Sequence, residues 1–333
     1  GRKKEAVTGN CSPKDFETMM QLTYLTFTAP RRDDDAFASY KNRSKAELQN
    51  MDLNPSSSFS DSITSTLYSK HPRTLRMKAD MVDKMNYDKI LSMYQDRFKD
   101  ASDFTFILVG NVDVEAVKPL IESYLGSLPS INRKETFKDN HIAMRKGICK
   151  NEFIRQQETP KVNNFICYSG TCKYNLRNEI LMSMTDQLLN FIYTEKVRED
   201  EGGTYGVYPM GQLIKYPTEK AVLQIFFNTA PDKQEKLIKI IYDEAEAFAK
   251  NGPDEASLNK VKEYMLKKHS EDLKENGYWL NSIDEYLYTG IDPVKDYEQI
   301  INNITPKDVQ QFANELLKQK NQITVSMISP EKK

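Results

Sequence analysis

The stretch Val197-Arg198-Glu199-Asp200-Glu201-Gly202-Gly203-Thr204-Tyr205-Gly206-Val207-Tyr208 holds the residue types in this chain best suited to chemistry. Ile180, Leu181, Met184, Leu188, Ile192 and Val197 recur at spacings near those of one helix face, which predicts a helix from about Asn178 to Glu199. Gly202-Gly203 ends it, because glycine just past a helix supplies the left-handed residue that reverses the chain. Thr204 to Tyr208 is β-prone and alternating, so a strand should return along the same layer. Arg198 then sits in the last helical turn and Tyr205 near the start of the strand, at one corner. A guanidinium and a phenol directed at one point can hold the carbonyls of an extended peptide or steady a developing oxyanion, where losing one donor costs about 3 kcal/mol. The pair also has a structural explanation: a cation is favoured at a helix carboxyl end, and Tyr205 can simply pack on a sheet. Residue chemistry alone leaves both open.

No other set of residues converges by spacing. His71, His141 and His269 stand in Lys70-His71-Pro72-Arg73, Asn140-His141-Ile142 and Lys268-His269-Ser270, none with a second histidine at ligand distance along the chain. All three read as surface residues, and no metal ligands are expected in this chain. Asp33-Asp34-Asp35 follows Pro30 and precedes a helical pattern, which suits amino-terminal capping better than cation binding. Tyr278, Tyr286 and Tyr288 beside Trp279 could line a peptide chamber, with helix core as the default reading. Gly110-Asn111 reads as a turn after a strand, without phosphate-loop spacing. Cys11, Cys149, Cys167 and Cys172 form neither a CxxC knuckle nor a disulfide framework, and are expected as buried free thiols.

Composition narrows the classes further. The chain has 333 residues, 47 basic against 48 acidic, with a net charge of -1. That length suits two domains. The balance leaves no basic footprint for nucleic acid. The longest apolar runs, such as Phe104 to Val109 and Val222 to Phe227, are far short of the ~20 residues that cross a bilayer. The opening Gly1-Arg2-Lys3-Lys4-Glu5 has neither an initiating Met nor a signal-peptide apolar stretch, and the compartment stays open.

The elements repeat at an offset of about 220 residues. Asp61 to Ser69 reads against Asn281 to Thr289, sharing Ser, Ile, Leu and Tyr in register, with Phe59 opposite Trp279. Downstream, a helix after Asn86 (Ile90, Met93, Tyr94, Phe98) leads to a strand Phe104 to Leu108, and a helix after Thr305 (Val309, Phe312, Leu316) leads to a strand Ile323 to Met327. Upstream, helices are expected at Pro13 to Tyr24 and Pro231 to Tyr242. The second copy carries more in front: strands at Gly147 to Arg155 and Val162 to Tyr168, the helix from Asn178, and a hairpin of Thr204 to Leu213 with Ala221 to Thr229. The first copy is therefore expected to lack its leading strands and helix. Leu128 to His141 is the natural linker.

Helix, Arg, two glycines, Tyr in a strand, hairpin and long following helix together resemble the carboxy-terminal half of the pitrilysin/insulysin-type zinc metallopeptidases, including processing-peptidase relatives. Ala101 to Asp113 and Tyr124 to Pro129 resemble the strand, turn and helix that close a domain there. The resemblance covers roughly Pro13 to Pro330 and implies an α+β fold of duplicated α/β roll domains, each an antiparallel sheet flanked by helices. Residues 1–130 would be a third-type domain truncated at its amino end, and 140–333 a complete fourth-type domain. Arg198 and Tyr205 match the family's substrate-holding pair. Zinc would be held by an inverted HxxEH motif and a distant Glu in the missing amino-terminal half, and peptide would be enclosed between the two half-shells. The implied partners are peptide substrate and the amino-terminal half of the same protein or a partner subunit. This chain alone, lacking the zinc motif, is expected to be inactive. The alternative is a non-catalytic binding or scaffold subunit of the same family.

Overall fold

A computed structural model of the chain describes residues 5–136, 138–199, 204 and 206–330, the side chains of Arg198 and Glu199 excepted. In chain order the helices are α1 (Phe16–Thr28), α2 (Asp34–Leu53), α3 (Pro55–Leu67), α4 (Ala79–Val82), α5 (Tyr87–Phe98), α6 (Val114–Tyr124), α7 (Leu176–Tyr193), α8 (Gln234–Asn251), α9 (Glu255–Asp272), α10 (Asn276–Thr289), α11 (Tyr297–Asn303) and α12 (Pro306–Leu317). The strands are β1 (Ile148–Ile154), β2 (Lys161–Thr171), β3 (Val207–Ile214), β4 (Lys220–Thr229) and β5 (Gln322–Ser329).

Two compact units divide these elements: Gly1–Leu53 with Arg76–Asn140, and Asn54–Leu75 with His141–Lys333. Residues 54–75 thus group with 141–333. The reason lies in α3. Its Ile63 and Leu67 are buried together with Phe165, Cys167, Val222, Ile323 and Val325 of the sheet.

The first unit is helical. Phe27 of α1 meets Phe98 of α5 and Phe104 edge to face, with ring centroids 5.1 and 4.8 Å apart, and Leu128 completes the cluster. Such pairs add about 1 kcal/mol to simple burial. The buried Asp100 carboxylate accepts backbone N–H groups from Ser102, Ile131 and Arg133 and the Ser102 hydroxyl. That set fastens the residues after Leu128 and holds the carboxyl far below the usual carboxylate range, the Ser102 hydroxyl contributing most. Asp33 Oδ1 accepts the Ala36 N–H at 2.8 Å, the expected amino-terminal cap. Phe104 to Leu108, expected as a strand, has no strand partner among the described residues. The alternation is real, but an extended segment becomes a strand only when a neighbour takes its N–H and C=O groups.

The second unit carries a five-stranded sheet in the order β1-β5-β2-β4-β3, antiparallel except for the parallel β1–β5 pair. β2 and β4 are apolar on both faces, as a strand must be when helices cover it on either side. Ile166, Tyr168, Leu223, Ile225 and Phe227 face the main core of α7, α8, α9, α11 and α12. Phe165, Cys167 and Val222 face α3. The local signals are the expected ones: Asn175 accepts the Asn178 N–H to start α7, and Thr305 and Asp308 form a reciprocal capping box before α12.

Two expectations differ in detail. The helix foreseen over Asn178 to Glu199 is regular only to Tyr193 and continues as wider π-type turns over Thr194–Glu199. Of the four cysteines, all free, only Cys167 is buried, and burial pushes its thiol up to about 12; Cys11 is exposed, Cys149 and Cys172 half-buried. A thiol on a two-sided strand is enclosed, whereas one at an edge or beside a loop is not.

Leu67 carries much of the α3 contact, so Leu67→Ala is expected to lower the unfolding free energy by about 2–4 kcal/mol, through lost burial and the cavity left behind. Urea denaturation followed by circular dichroism measures it, and a loss under about 1 kcal/mol would mean that α3 does not seal this face.

Candidate functional site

The corner between α7 and β3 is fixed from both flanks. α7 is buried over most of its circumference through Ile180, Leu181, Met182, Met184, Thr185, Leu188, Leu189 and Tyr193, and the Tyr193 hydroxyl donates to the Ile241 carbonyl at 3.3 Å. Beyond it, Val197 within the wider turns is fully buried, and Val207 at the start of β3 is nearly so. Asp186 on α7 accepts the Gly211 N–H of β3 at 2.9 Å. A Cβ at Gly211 would stand 2.4 Å from Met182 Sδ, so any larger residue would have to displace the buried Met182 side chain. Thr204 Oγ1 accepts the Gly206 N–H at 3.2 Å on the approach to the strand. Six residues separate Val197 from Thr204, and both ends of that span are held.

Arg198 lies in the wider turns, one residue after the buried Val197. Its side chain, and Tyr205 altogether, are outside the described residues. β3 is an edge strand of the sheet, and Tyr208 and Met210 are exposed along it. An edge strand can pair with an extended peptide, although here the Gly211 N–H is already taken by Asp186.

Two carboxyl groups of α7 are raised above the usual carboxylate range, Asp186 against β3 and Glu179 at the helix's amino-terminal end. Burial pushes Asp186 up to about 6, against the lowering effect of the Gly211 and Gln187 N–H groups. Glu179, at the start of α7, is pushed up to about 7, first by burial and then by Glu285 beside it. The Tyr174 hydroxyl donates to Glu285 Oε1 at 2.6 Å, tying α10 to this end of α7. A proton retained on one of two adjacent carboxyls relieves their repulsion.

A second concavity lies where α3 ends against β1. It is an open groove of about 370 Å³ lined by Ser65, Thr66, Ser69, Lys70, Arg145, Cys149, Lys150 and Asn151. Arg145 donates to Cys149 Sγ at 2.8 Å, and Asn151 Nδ2 donates to Thr66 Oγ1 at 2.8 Å. Three cations without a carboxylate among the lining side chains suit an anionic group. Sequence reasoning missed this groove because its two walls lie about 80 residues apart in the chain.

Among the described residues no three His, Cys, Asp or Glu side chains come together as a metal site, so the described residues do not fit a zinc centre. The histidines differ from expectation in one case. His269 is buried, its Nδ1 is 3.2 Å from the Tyr278 hydroxyl, and its ring stacks on Tyr297 at 4.3 Å. His71 Nδ1 accepts the Arg73 N–H and caps a single turn. The reading of the α10 aromatics as helix core is also corrected: Tyr286 is exposed, and Trp279 and Tyr288 are more than a third exposed.

The family described as "Peptidase M16 inactive domain" matches residues 84–265. The zinc protease PQQL-like of Arabidopsis thaliana is 24% identical over 81% of this chain and 30% of its own length. The probable zinc protease PqqL of Escherichia coli K12 is 21% identical over 90% of this chain and 32% of its own. The chain thus spans about a third of the length of these curated relatives. Among solved structures, the periplasmic protease PqqL of E. coli superposes with a TM-score of 0.80 at 18% identity, covering 96% of this chain and 35% of that one. The first half of the same protease gives 0.73 at 14% identity, covering 95% and 71%. Similarity at this identity is similarity of fold.

Because Asp186 and Glu179 have raised pKa values in the fold, their contribution to stability is complete below about pH 4 and is lost as pH rises through about 6 and 7. The melting temperature of the second unit is therefore expected to fall between pH 5 and pH 8. Asp186→Asn and Glu179→Gln should each flatten that slope and raise the pH 8 value by a few degrees, as scanning calorimetry measures. A slope unchanged in both variants would sink this account.

Proposed function

The chain belongs to the M16 peptidase family, through the domain type described as inactive, and we propose that it is the carboxy-terminal, substrate-holding portion of a zinc-dependent peptidase. The observation that carries this reading is the α7–β3 corner: a stretch containing Arg198 and Tyr205 is suspended between the buried Val197 and Val207 and braced by the Asp186–Gly211 hydrogen bond. Such a brace is needed where two donors must meet a substrate within fractions of an ångström.

In this reading the Arg198 guanidinium and the Tyr205 phenol donate to backbone carbonyls of a peptide, and to the oxyanion that develops when one of them is attacked. The metal, held by the other half of the parent protein, would supply the activated water. Donors fixed in advance lose little in reorganisation, and each contributes on the order of 3 kcal/mol to the transition state. The peptide would be enclosed between this half-shell and the amino-terminal half of the same protein or a partner subunit.

The domain assignment belongs to the same proposal: a third-type domain without its leading sheet, then a complete fourth. Its support is a comparison of equivalent helices. Val309 and Phe312 of α12 are 0% and 9% exposed on the second unit's core, while their repeat counterparts Ile90 and Met93 of α5 are 43% and 58% exposed. Phe104 to Leu108, the counterpart of β5 and without a strand partner among the described residues, fits the same pattern.

Arg198→Ala and Tyr205→Phe, made in the full parent protein, are expected to lower peptide turnover on the order of 100-fold each while leaving zinc content unchanged. Steady-state kinetics together with metal analysis decides this. Wild-type turnover in both variants, or a parent that binds no zinc, overturns the reading in favour of a binding or scaffold subunit.

A further inference from the structure

The two edges of the sheet are finished differently. β3, at one end of the strand order, carries Pro209, which has no N–H to offer, and its Gly211 N–H is taken by Asp186. Both features suppress pairing with a further strand. β1, at the other end, has neither. Its parallel bonds to β5 use alternate residues: the Gly147 carbonyl accepts the Gln322 N–H at 3.1 Å, and the Arg155 N–H donates to the Ile328 carbonyl at 2.9 Å. The residues out of phase with these, Ile148, Lys150, Glu152 and Ile154, direct their N–H and C=O groups away from β5. Among the described residues no strand lies beyond them.

The side chains of those four residues share one face and are all exposed, Ile148 by 69% and Ile154 by 73%. A regular edge of seven residues without proline, with a β-branched apolar side chain at each end, is a template for another strand. The order of the side chains selects which strand. In Ile148-Cys149-Lys150-Asn151-Glu152-Phe153-Ile154 the apolar ends match and the charges are opposite at equal distances from Asn151. Laid antiparallel on a second copy and centred on Asn151, Ile148 of one copy faces Ile154 of the other, and Lys150 faces Glu152. Each of these pairs recurs across the twofold axis. The backbone phase agrees, because outward-directed residues then oppose outward-directed residues and can exchange both N–H···O bonds. A slip of two residues either way sets Lys150 against Lys150 or Glu152 against Glu152, and like charges directly opposite are destabilising. A slip of one residue sets outward backbone groups against inward ones.

We propose that two copies of this chain join β1 to β1 in this register, so that the sheet of one copy continues into the sheet of the other. A twofold contact must be self-complementary, and this segment is so in charge, in apolar groups and in backbone phase. The inference stands apart from the peptidase reading, since it uses no residue of the α7–β3 corner.

The test is analytical ultracentrifugation of this chain and of the full parent protein, each with single charge reversals. Both unmodified proteins are expected to be dimers at micromolar concentration. Lys150→Glu and Glu152→Lys each place like charges opposite one another twice, and each should weaken dimerisation at least ~10-fold. Mixing the two variants brings opposite charges together again in a heterodimer, and the double variant does so in a homodimer, so both preparations should recover the dimer. The Glu152 carboxylate also accepts a 3.3 Å bond from Gln234 of α8, which Lys150→Glu leaves intact. Circular dichroism of each variant separates loss of pairing from loss of fold, and should a single variant fail to fold, the double variant alone decides. A monomeric unmodified protein in either form, reversals without effect, or a double variant that stays monomeric overturns the proposal. A strand from elsewhere in the parent covering this edge would show as a monomeric parent. None of these readouts depends on peptide turnover or zinc content.

Discussion

A sheet that is apolar on both faces needs cover on both, and most of this molecule follows from that requirement. β2 and β4 alternate large apolar side chains to one side and the other, Phe165 against Ile166 and Val222 against Leu223, all of them almost wholly buried. Each fully buried side chain of this size is worth about 1.5–3 kcal/mol relative to exposure. The helices that follow the strands in sequence, α7 through α12 apart from α10, close one face. They cannot reach the other. That face is closed by α3, which precedes β1 by some 80 residues, and this is why Asn54–Leu75 groups with the carboxy-terminal unit.

The same two-sidedness gives the α7–β3 corner its rigidity. β3 is an edge strand and would be free to twist away if only β4 held it. Instead Val207 is drawn into the main core, the missing Cβ at Gly211 allows α7 to lie against it, and Asp186 accepts the Gly211 N–H. A carboxyl buried for this purpose is kept largely protonated below pH 6, a cost to solubility of the charge that the hydrogen bond and packing offset.

The helices, the hairpin and the two-sided strands were legible in the sequence because each has a local cause: period, cap or turn chemistry. Asn175, Thr305 and Asp33 cap where their residue types predict. The features that were not legible depend on partners far along the chain. The alternation in Phe104 to Leu108 is that of a strand, yet pairing needs a neighbour. His269 stands between Lys267-Lys268 and Ser270-Glu271-Asp272, a charged context, but one helical face of α9 turns it inward onto Tyr297. The groove at the end of α3 joins residues 65–70 to 145–151, a juxtaposition that exists only once α3 lies on the sheet. For Arg198 and Tyr205 the sequence supplied the spacing, and the described residues supply the fixed ends on either side.

The α10 aromatics expose the limit of reading a stripe as core. Periodicity states that a face is apolar; it does not state which sheet the face belongs to. In α3 and α10 the same pattern, Phe or Trp followed by Ile and Leu at intervals of four, meets opposite fates: burial in one and solvent in the other. The difference cannot come from the helices, since both are regular and both follow the same residue pattern. It must come from what lies opposite.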